Sequence, residues 1–129
     1  MITDRKETSQ RHILAAIAQF HDGNLDCAIT LAGVAEGILP ETTDPHLFQQ
    51  LLPEAKPEGI DLNLVRNWLK HVCQPDVVEI AEYEGVFNIC RAISKFVAVY
   101  HQSCIAFERF MTWQENAGYP FAGRKPIQN

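Results

Sequence analysis

The chain has 129 residues, enough for one domain and too short for two of ordinary size. With 47% apolar and 21% charged residues, it has the composition of a globular fold that buries its own core without disulfide staples. A net charge of −5 excludes a broad nucleic-acid coat built on many phosphate contacts and leaves room only for a local basic pocket.

The opening stretch "MITDRKETSQRH" is polar and has no apolar run of signal-peptide length. Nowhere does a run approach the roughly 18 apolar residues of a membrane span. The reading is therefore a cytoplasmic protein with no membrane partner and with reduced thiols at Cys27, Cys73, Cys90 and Cys104. Cys27, Cys90 and Cys104 sit among apolar residues, which predicts buried small hydrophobes.

The first helix is predicted from Asp4 to Phe20, where Ile13, Ile17 and Phe20 recur at helical spacing. Asp4 and Glu7, three apart, carry the signature of a cap and first turn. After the short "HDG" connection, Asn24 is the candidate cap of a second helix. Its apolar face is Leu25, Ala28, Ile29, Ala32, Ala35 and Leu39, and its alanines and Gly33 allow close approach of another helix. So short a connection makes the two helices antiparallel neighbours. "LPETTDP" (39–45) and "LPEAKPEG" (52–59) read as loops, with a short turn of helix between them at His46–Leu52. Asp61 is expected to cap a helix running to about Cys73, which Pro75 then stops. "VVEI" (77–80) could be extended, but four residues make no sheet alone. From Glu82, the residues Val86, Phe87, Cys90, Ile93, Val97 and Tyr100 keep a long helical period. A last helix is expected over roughly Cys104 to Asn116, with Phe107, Phe110 and Met111 inside. The class is all-α: about five helices in an antiparallel bundle, one domain over 1–117, and an irregular tail over 118–129.

Most of the chain carries no chemistry beyond this pattern. "GVAEG" (33–37) lacks the lysine and the preceding strand of a phosphate loop. His101 with Cys104, and His71 with Cys73, lack the spacing of a zinc finger or ribbon, so no metal or other cofactor is expected. Glu79 and Glu82 share a face that a solvated helix start explains.

The segment "RNWLKHVCQP" (66–75) stands apart. At about 100° per residue, Arg66 and Lys70 lie about 40° apart, while Arg66 and His71 lie about 140° apart. A regular helix cannot aim Arg66 and His71 at one atom. A loosened helix end before Pro75 could, and so could a symmetric dimer in which each copy supplies one of them. His71 near a helix C-terminus suits proton transfer, and a guanidinium suits a phosphate. Without a metal, such a pair fits attack of an RNA 2′-hydroxyl on its own phosphodiester. The plainer reading is a helix whose terminal lysine and histidine complement its dipole. An arginine followed after four to six residues by a histidine is a weak pattern, and Arg5 with His12 also satisfies it.

"RNWLKH" resembles the signature of the HEPN superfamily (higher eukaryotes and prokaryotes nucleotide-binding domain): an arginine, a polar residue and, a few residues on, a histidine. "FHDGNLDCAITLAGVAEGIL" (20–39) with "NWLKHVCQPD" (67–76) is similar to a group of uncharacterised bacterial HEPN-like proteins. The resemblance covers about residues 10–100 and implies a small all-α bundle. It implies an RNA-directed domain, a class that includes metal-independent endoribonucleases of toxin or defence type. It implies a homodimer and RNA or an antitoxin-like protein as partners. By carry-over, Arg66 would contact the scissile phosphate, His71 would act as acid or base, and Asn67 would support both. Lys70 belongs to the closer group. Arg91 and Lys95, four apart on the long helix, are candidates to extend a phosphate-binding pocket beside Arg66. The second reading is a non-catalytic helical module that binds a partner protein or a nucleotide, with the Arg/His motif at a dimer interface.

Overall fold

The computed structural model describes residues 1–121. It holds six α-helices and, among the described residues, no strand. They are α1 (Arg5–His21), α2 (Leu25–Gly37), α3 (Leu47–Ala55), α4 (Leu64–Lys70), α5 (Glu82–Tyr100) and α6 (Ile105–Asn116). None is long and apolar enough to cross a membrane.

Asp4 caps α1 as its spacing predicts, accepting the Glu7 amide at 2.8 Å. Gly23, at φ +84°, makes the left-handed turn into α2. Asn24 takes the cap position of α2, but its side chain donates to Gln19 Oε1 at 2.8 Å instead of capping. Helices α1 and α2 pack side by side, and α5 lies against both. The core forms where they meet: Ile13, Ala16 and Phe20, then Ala28, Ala32 and Ala35, then Val86, Ile89, Cys90 and Ile93. The alanines of α2 are what let the long α5 come close.

Two elements differ from expectation. Helix α3 continues through Pro53 to Ala55, where the prolines read as a loop. Pro53 has no amide to donate to Gln49 O, so the helix gives up one hydrogen bond there, and packing of α3 on α5 offsets that loss. Helix α4 is shorter than expected and starts three residues after Asp61. The Asp61 carboxylate accepts the Asn63 amide in a turn instead of capping a helix there. Among the described residues the count is therefore six helices, where about five are expected. "VVEI" forms no regular element. Of the tail, 122–129 lie outside the described residues. Tyr119 and Phe121 pack on the core, and the Tyr119 hydroxyl donates to Glu82 Oε1 at 2.6 Å.

The cysteines divide. Cys90 is buried, and burial pushes its thiol up. Cys27, expected inside, is exposed: on α2 it precedes Ala28 and Ile29, which take the inward positions.

On α6, Gln114 is fully buried, and neither side-chain polar atom has a hydrogen-bond partner. An unsatisfied buried amide costs about 1–3 kcal/mol. Gln114→Met should therefore raise stability by about 1–2 kcal/mol, read as a higher urea midpoint at unchanged slope.

Candidate functional site

Arg66 is buried, on the inward face of α4. Its aliphatic chain lies over Gly33, where an added Cβ would sit 3.7 Å from Arg66 Cδ. Arg66 thus packs across α2 at Gly33, at a distance where an added Cβ would make ordinary van der Waals contact. The guanidinium donates from Nη2 to Glu36 Oε2 at 2.7 Å and from Nε to Asn88 Oδ1. Asn88 is oriented in turn by its own donation to Glu84 O at 2.8 Å.

Glu36 is the centre of this network. Arg91 reaches the same carboxylate, from Nε to Oε2 at 2.9 Å and from Nη2 to Oε1 at 3.1 Å. That is a forked contact of the kind guanidinium and carboxylate form best. Arg91 also donates from Nη1 to Asn63 Oδ1 at 2.9 Å and to Leu62 O at 3.2 Å, and it stacks 4.0 Å from the Phe48 ring centroid. The Lys95 ammonium meets the Glu36 carbonyl at 3.5 Å. One carboxylate on α2 therefore ties α4 and α5 together.

Burial by itself would raise the Glu36 carboxyl. Attraction to Arg66 and Arg91 outweighs it and holds the group below its ordinary value of 4.5. Burial lowers Arg66 to about 10, with Glu36 opposing, so it stays charged at neutral pH. His46, beside α3, is also buried. Burial pushes its imidazole below 6.5, and its Nδ1 has no hydrogen-bond partner.

The other motif residues lie elsewhere. Asn67, Lys70 and His71 are all exposed, with the spacing of one helix face. His71 leaves the helix with extended backbone, while its amide still donates to Asn67 O at 3.0 Å. The Trp68 indole donates to Pro75 O at 2.7 Å and holds the following segment back against α4. Leu64, one turn before Asn67 on α4, and Val72, which follows His71, are each more than half exposed. Within one chain, then, Arg66 joins Arg91 and Lys95 inside, and Asn67, Lys70 and His71 stay outside. Among the described residues no group of three or more His, Cys, Asp or Glu side chains is placed to hold a metal.

Sequence reasoning missed Glu36. The available signal was its place three and four residues after Gly33 and Ala32, on the inward stripe of α2. A carboxylate in such a stripe needs a cation from another element.

Fold and site together define a helical bundle with a buried ion network and a separate, exposed polar edge. No protein-family model, curated protein or solved structure matches the chain.

Proposed function

We propose that this chain is an HEPN-like, RNA-directed helical module that works as a homodimer and binds RNA without cutting it. One observation carries the reading. Helix α4 turns Arg66 inward onto Glu36 and presents Asn67, Lys70 and His71 outward, beside exposed Leu64 and Val72. A guanidinium shared with a buried carboxylate cannot grip a scissile phosphate unless that pair breaks. Lys70 and His71 are free to contact a phosphate, and Asn67 to contact a sugar hydroxyl. The apolar residues around them suit a second copy, which would double the cationic edge on an otherwise acidic body. The resemblance of "RNWLKH" to the HEPN signature supplies RNA as the ligand class.

The test joins light scattering with RNA-binding anisotropy and an RNA cleavage assay in chelator. The parent should be a dimer that binds single-stranded RNA. Leu64→Asp should be a folded monomer with affinity reduced about tenfold or more. Lys70→Ala should remain a dimer, bind less tightly and lose about one unit of salt slope. A monomeric parent without RNA affinity overturns the proposal. RNA cleavage by the parent, lost in His71→Ala, would replace it with the ribonuclease reading.

A further inference from the structure

The buried ion network holds more positive charge than it uses. Among the described residues, three buried cations, Arg66, Arg91 and Lys95, face one buried carboxylate, Glu36. Arg66 and Arg91 saturate that carboxylate with close contacts. Lys95, only 8% exposed, is left with a carbonyl at 3.5 Å, the outer limit of a hydrogen bond. An ammonium offers three donors, and a buried charge without a counter-charge is among the costliest arrangements a fold can hold.

Two further features converge beside Lys95. The first is the N-terminus of the nine-residue helix α3. Its Leu47 amide is taken by Ser94 Oγ at 2.8 Å, one residue before Lys95, and its Phe48 ring covers Arg91. Helix geometry leaves the next amides, Phe48 and Gln49, without acceptors in their own turn, and the helix dipole adds positive potential there. The second is His46, the cap residue of α3. It is 9% exposed, makes no side-chain cap bond and has an unpartnered Nδ1. It lies within electrostatic reach of both Lys95 and Arg91. The carboxylates facing it are Glu36, already committed to the two arginines, and Glu41, which is exposed.

We infer that His46, Lys95, Arg91 and the first turn of α3 form a binding site for a small oxyanion of the phosphate class, separate from the α4 edge. A tetrahedral oxyanion offers several acceptor oxygens and negative charge to an ammonium, an imidazole N–H and helix amides. Lys95 gives one long contact to the Glu36 carbonyl, His46 Nδ1 has no partner, and the Phe48 and Gln49 amides have no acceptor in their own turn, while Arg91, committed to Glu36, Asn63 and Leu62, adds positive charge.

The experiment is calorimetric titration of the full chain with inorganic phosphate at constant ionic strength, repeated with adenosine monophosphate. Saturable one-to-one binding is expected, weakened about tenfold or more by Lys95→Met and severalfold by His46→Gln. Equal affinity for the two ligands would mean that the phosphate group alone is recognised. Tighter binding of the nucleotide would mean that its phosphate is the natural occupant. Amide resonances of Phe48 and Gln49 in the parent should shift with phosphate, a readout independent of whether the variants fold. No saturable binding, binding unchanged in Lys95→Met, or unmoved α3 amides would overturn the site. Lys70→Ala should leave phosphate affinity unchanged, so failure of the RNA reading is separable from failure of this one.

Discussion

Glu36→Gln should destabilise the fold by about 3–5 kcal/mol, the cost of removing one partner from a buried ion pair. The substitution keeps the shape of the side chain and removes its charge. Arg66 and Arg91 would then face each other inside the bundle with no carboxylate between them. Two elements depend on this group, since it ties α4 and α5 to α2. The loss is checked by urea unfolding at neutral pH. A mutant cycle gives the mechanism: Arg66→Met in the Glu36→Gln background should recover part of the loss, because it removes one of the stranded charges. A loss below about 1 kcal/mol would mean that solvent screens the pair as it does at a surface. The pH dependence follows from the same pair. The folded state holds the Glu36 carboxyl below its ordinary 4.5, so the unfolded chain takes up its proton first on acidification. The stability from this group is complete above pH 4.5 and is lost as pH falls through the lower folded-state value. Parent and Glu36→Gln should therefore converge in stability toward acid pH.

Phe107→Ala should cost about 3–5 kcal/mol, as truncation of a fully buried aromatic does. Phe107 is 0% exposed and meets Phe96 of α5 edge-on, with ring centroids 5.4 Å apart. With Phe110, which meets Phe20 at 5.6 Å, it fixes α6 to the three-helix centre. A lower urea midpoint is expected, and early exchange of α6 amides would locate the loosened element. Phe96, which Phe107 meets, lies about 100° round α5 from Lys95 and about 140° from Arg91, so Phe107→Ala should leave phosphate affinity intact. Glu36→Gln, which changes the charge at the proposed site, should not.

Much of the architecture was legible in the residues. A stripe of apolar side chains at 3.6 spacing is a local property, and it located α1, α2, α5 and α6 within a few residues. Asp4 announced its helix for the same reason, since a cap is satisfied by an amide three positions away. The short elements were less legible. Pro53 reads as a stop and sits inside α3, and Asp61 reads as a helix cap and serves a turn. A helix of seven or nine residues has little propensity of its own, and its ends are set by what it packs against.

The candidate site divides in the same way. Arg66, Arg91 and Lys95 could be picked out as cations, but helical spacing puts Lys70 on one face with Arg66, whereas Arg66 is buried and Lys70 is exposed. Which way Arg66 points does not follow from that spacing. Glu36 lies 30 residues before Arg66 and 55 before Arg91, and no local pattern joins them. Only the packing of α2 against α4 and α5 brings those charges together. By itself the sequence determined the helical class, the apolar faces and the inventory of charged groups, because these rest on interactions within a turn or two. The tertiary structure alone decided that Glu36 neutralises Arg66, that Lys95 and His46 are enclosed together, and that the motif is split between interior and surface. Electrostatic pairing depends on distance in space, and the chain does not carry that distance in its order.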